Sequence, residues 1–373
     1  GSGLVGSEMC IRDSGVHGYY DIVHFSETQT FGDMVSAILE GKPDKNLILV
    51  TGRTHPKLAS DVAEQLGIDI LETTAYDFAN GEMYVRYTES VRGADVFVLQ
   101  THADLVNKSI MEQLIMIDAL KRASARSITA VCPLLGYSRQ DKKHRGREPI
   151  SCRLIFDLLK TAGADRIMSV DLHAAQSQGF FDGPVDHLIA MPVLVDYIRD
   201  RFSNELGNVA VVSPDAGRIR VAEQWAQRLG GGPLAFVHKT RDITRPNKAV
   251  ANRVVGDVKG KDCVLVDDLI DTAGTIAGAC HVLRDAGAKS VTVVATHGVL
   301  SGPAVDRLKN CGASEIVLTD TVPIPEEKRW DGLTVLSIAP LLASAIRAVF
   351  EDGSVAELFD TYPEHHGQGF LFA

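Results

Sequence analysis

The chain has 373 residues, 45% of them hydrophobic, and a formal net charge of −10. That length and composition give a globular protein with room for two ordinary domains, and the acidic balance excludes a general nucleic-acid surface. No apolar run approaches the roughly 20 residues of a membrane span and no secretory signal opens the chain, so a cytoplasmic protein without membrane contact is expected.

Residues 1–46 lack the strand and helix rhythm of the rest of the chain and read as an appended or non-native leader, poorly ordered. Within it, Phe31, Met34, Val35, Ile38 and Leu39 have helical spacing, with Thr30 and Asp33 placed as a capping box, which predicts a docked amphipathic helix. From Leu47, short apolar runs ending in Gly, Pro, Asp or Thr alternate with helical stretches. "NLILVTG", "DVFVLQT", "SITAVCP", "RIMSVDL", "VAVVSPD", "CVLVDDL" and "SVTVVAT" read as strands buried on both faces. "SIMEQLIMIDALKRA" and "EPISCRLIFDLLKTA" repeat apolar residues at three- and four-residue spacing, as helices do. The class is α/β with mainly parallel sheets.

"AGADRIMSVDLH" (162–173) and "AGAKSVTVVATH" (286–297) share a turn, an apolar strand and a terminal His. Combined with length, the echo predicts two similar domains, 47–189 and 190–350, followed by a C-terminal segment and tail, 351–373. The cysteines Cys10, Cys132, Cys152, Cys263, Cys280 and Cys311 form no CxxC pair and read as reduced structural thiols.

The stretch "CVLVDDLIDTAGTIAGA" (263–279) poses a chemical conflict. Thr272, Ala273, Gly274 and Thr275 suit a turn and helix start whose backbone N–H groups cradle a phosphate. Yet Asp267, Asp268 and Asp271 lie beside it and repel that phosphate. A ribose 5-phosphate resolves the conflict: the loop holds its phosphate while its hydroxyls donate to Asp267 and Asp268, which follow the apolar strand Cys263 to Val266. The plainer alternative makes the acids turn residues that cap the next helix.

"GYSRQDKKHRGREP" concentrates Arg139, Lys142, Lys143, Arg145 and Arg147 around Asp141, so local charge opposes global charge. Such a loop is either solvated surface or a polyphosphate site for a ligand such as ATP. Asp171 and His173, two apart at a strand end, are expected to face one side and suit a divalent metal; Asp215 closes another strand and adds an oxygen. Mg²⁺, which shares its shell between one or two carboxylates and substrate phosphates, is the expected ion. Asp171 is a candidate general base by position alone.

"FANGE", "ESVRG", "MEQLIMIDALK", "SRQDKKHRGREPIS", "DLHAAQSQGFFDGPVDHL", "VSPDAGR", "HKTRD" and "VLVDDLIDTAGT" occur in that order. Together they resemble ribose-phosphate diphosphokinase, the PRPP synthetase family, from about Leu47 to Phe359, and in particular its phosphate-regulated, actinobacterial members. The resemblance implies two phosphoribosyltransferase-like domains, transfer of the diphosphoryl group of ATP to the C1 hydroxyl of ribose 5-phosphate, and Mg²⁺ as cofactor. It places Phe78, Asn80, Glu82, Arg139, Gln140, Lys142 and Lys143 at the nucleotide. His173 and Asp215 fall at metal positions, and Asp267, Asp268 and Asp271 to Thr275 at the ribose phosphate. Lys239 and Arg241 match cations that stabilise the transferring group, and Ser90, Arg92 and Arg147 match a site regulated by phosphate and ADP. A homo-oligomer, commonly a hexamer, is implied. The chain departs from many relatives in the Leu-Leu-Gly of "CPLLGYSRQ" and at His144. A non-catalytic regulatory paralogue and a PRPP-consuming phosphoribosyltransferase are the rival readings.

Overall fold

The structure is a computed structural model that describes residues 45–239 and 252–360, with the backbone alone at Lys239, Asn252 and Asp360. The expected amphipathic helix at 31–39, Cys10, Arg241 and the tail beyond 360 lie outside the described residues. In chain order the elements are β1 (Leu47–Thr51), α1 (Pro56–Leu66), β2 (Thr73–Asp77), β3 (Met83–Tyr87), β4 (Asp95–Leu99), α2 (Val106–Arg122), β5 (Ser127–Cys132), α3 (Ser151–Ala162), β6 (Arg166–Val170), β7 (Val185–Leu188) and α4 (Met191–Arg201). There follow β8 (Val209–Ser213), α5 (Ile219–Arg228), β9 (Leu234–Lys239), β10 (Asn252–Val255), β11 (Asp262–Ile270), α6 (Gly274–Asp285), β12 (Ser290–Gly298), α7 (Ala304–Lys309), β13 (Glu315–Thr319), β14 (Leu333–Leu336), α8 (Ala339–Phe350) and α9 (Glu357–Asp360).

Two sheets result. The first has the order β1-β4-β5-β6-β7 and is parallel throughout. The second has the order β10-β9-β8-β11-β12-β13-β14 and is parallel except for β10. Helices are the natural crossovers between parallel strands, and they cover both faces. The chain is α/β as its alternation predicts. An antiparallel hairpin, β2 with β3, stands apart from both sheets.

Strands covered on both faces alternate their side chains between two cores. In β11, Cys263 and Leu265 join a cluster with Ile276 and Leu283 of α6, while Val264 and Val266 join a second cluster. That second cluster runs between the sheets: it holds Leu58 and Leu66 of α1, Leu194 and Ile198 of α4, Trp225 of α5, and Leu342 and Ile346 of α8. A third, around Phe97's neighbours Val96 and Val98 with Ile117 and Phe156, covers the outer face of the first sheet. The AGA joints behave alike, since Gly163 and Gly287 both end helices at positive φ, 129° and 88°. Lys45, assigned to the leader from sequence, already belongs to the folded body, donating to the Phe350 carbonyl at 3.1 Å.

Candidate active site

In the second sheet the crossover after β8 runs to β9 on one side and the crossover after β11 runs to β12 on the other, so a crevice opens at the carboxyl ends of the neighbouring strands β8 and β11. β8 pairs with β11 from Val209–Asp262 to Val212–Leu265 and stops at Ser213, whereas β11 continues to Ile270 against β12. The expectation that the acids follow the strand is therefore corrected: Asp267 and Asp268 lie within β11, held extended by β12, and line the crevice from its side.

The chain then turns sharply. Ala273 adopts φ 59°, ψ 10°, and α6 starts at Gly274, so the run Thr272 to Thr275 is a turn feeding a helix N-terminus. Backbone N–H groups there are oriented for an anion. Arg307 of α7 donates to the Thr272 carbonyl at 2.9 Å and braces the turn from behind. The Ser301 amide donates to the Asp271 carbonyl at 2.9 Å, and Arg139 reaches across from the first half to the Asp271 carboxylate at 2.8 Å. Burial acts to raise the Asp271 pKa, but its bonds to Ser301 and Arg139 win and hold it below the usual range.

His173 arrives from beyond β6 and sets Nδ1 2.8 Å from Asp268 Oδ2. Arg218, on the turn after Asp215, places a nitrogen 2.7 Å from the same oxygen and another 3.5 Å from Asp267 Oδ1. Burial, followed by the neighbouring charge of Asp268, pushes Asp267 well above the normal carboxylate range. Burial pushes Asp268 the same way, but the His173 hydrogen bond and the Arg218 charge override it and hold that group far below. Two adjacent acids thus have opposite environments, as at sites that must hold one charge among several.

Asp215 accepts from the Gly217 amide at 2.9 Å, which closes the turn carrying Arg218. Among the described residues no group of three or more His, Cys, Asp and Glu forms a metal cage. His173 Nδ1 is shared between Asp268 Oδ2 at 2.8 Å and Arg218 Nη2 at 2.9 Å, and in the tautomer that carries its proton on Nδ1 the Nε2 lone pair faces a cation. One imidazole and one carboxylate suit an ion whose remaining ligands come from substrate and water, as for Mg²⁺. The expectation that Asp171 and His173 face one side is overturned. Asp171 lies past the end of β6 with φ 38°, outside strand alternation, and its carboxylate accepts from Thr296 Oγ1 at 2.6 Å and the Ala190 amide at 3.2 Å. It belongs to the joint between the halves, which removes the geometric basis for a general base there.

The nucleotide candidates divide in two. Phe78, Asn80 and Glu82 form the tip of the β2–β3 hairpin; Asn80 Oδ1 accepts from the Glu82 amide at 3.1 Å. Phe78 is 46% exposed and lies edge-on to Tyr76 at 5.4 Å. The hairpin is tied to the first sheet through Asp77, which binds Arg53 at 2.8 Å and also Lys108. Gln140, Lys142, Lys143 and Arg147 are exposed on the loop after β5. Glu148 organises that loop by accepting from the amides of His144 and Arg145 at 2.7 and 2.9 Å, bonds that lower its own pKa. Lys239 ends β9. The Ser90 hydroxyl accepts from the Arg92 amide at 3.4 Å, while Arg147 takes φ 71° on the charged loop.

Sequence reasoning missed Arg218 and Arg307. "VSPDAGR" contains the first, but nothing in its spacing says that the side chain folds back over a strand 50 residues later.

A family model described as the N-terminal domain of ribose phosphate pyrophosphokinase matches residues 47–163, and one described as the phosphoribosyl synthetase-associated domain matches residues 236–360. The chain is 94% identical over 340 residues to the ribose-phosphate pyrophosphokinase of Bifidobacterium longum, covering 91% of this chain and 100% of that one. It belongs to the ribose-phosphate pyrophosphokinase family. The family member of Mycobacterium tuberculosis is 64% identical over 316 residues, covering 85% of this chain and 96% of the relative. A solved structure of phosphoribosylpyrophosphate synthetase from Mycobacterium smegmatis matches with a TM-score of 0.79 and 62% identity, over 83% of this chain and 100% of that one. The likeness to the Bifidobacterium pyrophosphokinase is longer than the span from Leu47 to Phe359 that the motifs suggest.

Proposed function

We infer that the chain is an ATP:ribose-5-phosphate diphosphotransferase, making PRPP and AMP for nucleotide biosynthesis. The observation that carries this reading is the pairing of a carboxylate-lined crevice, Asp267 and Asp268, with the helix-start turn Thr272–Thr275 directly after it. A ribose 5-phosphate satisfies both: hydroxyls donate to the acids, and the phosphate accepts from the turn.

The C1 hydroxyl oxygen attacks the β-phosphorus, the bond to the α-phosphate bridging oxygen breaks, and AMP leaves. Catalysis is then mainly positioning and charge stabilisation. Asp267 and Asp268 orient the sugar. Arg139, Gln140, Lys142 and Lys143 face the polyphosphate, and Phe78, Asn80 and Glu82 the adenine end. Lys239 and Arg241 meet the charge that develops on the transferred group. His173 and Asp215 would hold Mg²⁺, which when bound neutralises phosphate oxygens.

The protein acts in the cytoplasm as a homo-oligomer, a hexamer. Exposed apolar side chains on α3, Leu154 and Leu158, and the aromatic hairpin tip support contacts between copies. Phosphate and ADP act as effectors through Ser90, Arg92 and Arg147. The chain divides into a leader, an ATP-side domain to residue 189, a ribose-phosphate domain to 350 and a terminal segment.

One assay tests the activity. ATP, Mg²⁺ and ribose 5-phosphate are supplied, and AMP and PRPP are measured; equimolar formation is expected. A chain that makes neither, or that only consumes PRPP with a base, refutes the reading.

A further inference from the structure

We propose that Arg218 is a positioning residue for ribose recognition, its guanidinium bridging Asp267 and Asp268 so that both carboxylates keep the orientation that accepts sugar hydroxyls. The inference rests on the ribose 5-phosphate reading of this site. Asp267 is already fixed by backbone, because the Asp268 amide donates to its Oδ1 at 2.9 Å. Side chains hold the Asp268 carboxylate instead: Arg218 at 2.7 Å and His173 at 2.8 Å, both to Oδ2. Asp268, the acid held ionised, therefore depends on these side chains for its orientation, and Arg218 ties it to its backbone-fixed neighbour.

Arg218 is built for that task. The turn Ala216–Arg218 is closed by Asp215 Oδ1 accepting from Gly217 and by Ser213 Oγ donating to the Asp215 carbonyl at 2.6 Å. The turn directs the side chain back over the strand ends, where it is 21% exposed. A planar guanidinium contacts two acceptors at once, with Nη2 on Asp268 and Nε 3.5 Å from Asp267 Oδ1, which a lysine ammonium on one stem cannot reproduce. Its remaining contact is also within this cluster, Nη2 lying 2.9 Å from His173 Nδ1. That separates it from cations that meet the transferring group, and its loss is expected in sugar affinity more than in turnover.

The test uses the full chain, varying ribose 5-phosphate at saturating ATP and Mg²⁺. Arg218→Ala is expected to raise KM for ribose 5-phosphate by on the order of 10-fold, with a much smaller fall in kcat and little change in KM for ATP. Arg218→Lys is expected to lie between it and the parent, since the charge returns without the fork. Calorimetric titration with ribose 5-phosphate alone is expected to give the same order. Thermal melting checks that each variant is folded; if the alanine variant is not, Arg218→Gln carries the same expectation. An unchanged KM for ribose 5-phosphate, a loss confined to kcat, or tighter sugar binding overturns the proposal. A parent that makes no PRPP overturns the activity and this inference with it, whereas an active parent with indifferent variants overturns the inference alone.

Discussion

Replacing Asp268 by Asn tests the division of labour between the acids and the turn. The substitution keeps shape and removes one charge from a side chain that is 12% exposed. In the crevice that charge is balanced by Arg218 at 2.7 Å and polarised by His173 at 2.8 Å, so the carboxylate is a fixed, ionised acceptor. A hydrogen bond to a charged group contributes about 1.5–3 kcal/mol, so losing it lowers kcat/KM for ribose 5-phosphate by a factor of about 10 to 150. The residues proposed for the nucleotide sit elsewhere, on the hairpin tip and the loop after β5, and KM for ATP is expected to move by less than about threefold, well under one charged hydrogen bond. Initial rates of AMP formation, with each substrate varied at saturation of the other, measure both. Equal losses for the two substrates would refute the assignment of Asp268 to the sugar. Because Asp268 and Arg218 touch, the Asp268→Asn, Arg218→Ala double variant is expected to lose less than the product of the single effects.

Lys239→Ala is expected to lower kcat by about 10²–10³ with smaller changes in either KM, because an interaction stronger in the transition state than in the ground state acts on turnover; parental kcat at saturation removes Lys239 from the mechanism. Arg92→Ala is expected to weaken activation by phosphate or inhibition by ADP, and dose–response curves that match the parent for both effectors count against a regulatory role. Stability is expected to fall on acidification below neutral. Burial lowers the pKa of His102 to about 4, partly offset by its bond to Gln113, and burial also lowers those of His55, His187 and His297. From about pH 6.5 downward the unfolded chain binds protons that these folded imidazoles refuse, so unfolding gains up to about 1.4 kcal/mol per group per pH unit. For His102 this loss runs down to its folded pKa near 4; the Gly136 amide donates to its Nδ1 at 3.0 Å, which leaves no room for a proton there. Melting temperatures across pH 7.5 to 5 check the sign, and a flat profile contradicts it.

Much of the architecture was legible because parallel strands covered on both faces leave uninterrupted apolar runs. β1, β4, β5, β6, β8, β11 and β12 all correspond to such runs. β7 (Val185–Leu188) and β10 (Asn252–Val255) mix polar with apolar residues at sheet edges, and the hairpin β2–β3 alternates without a deep core, so none gives that signal. β13, "EIVLT", is an apolar run of the same kind, yet it is missing from the strands read from sequence. In the site, Asp267 to Thr275 could be found because acid pair, turn and helix start are contiguous. His173 meeting Asp268, and Arg139 meeting Asp271, depend on how the halves face each other, and no local pattern encodes that. Asp171 misled for a related reason: alternation ends where a strand ends, and one left-handed residue sent its carboxylate to Thr296.

The apolar layer between the sheets has a consequence for dissection of the protein. Leu58 and Leu66 of α1 lie in the same cluster as Leu342 and Ile346 of α8, residues at opposite ends of the described chain, and Arg347 donates to the Leu66 carbonyl at 2.8 Å. A cut near residue 190 would leave each piece with a greasy wall facing water, in fragments that sequence alone divides neatly in two. Neither piece is then a useful reagent for binding one substrate at a time. Their natural state in solution would be aggregated or re-paired, and a mixture of the two is the preparation from which a working crevice could be recovered.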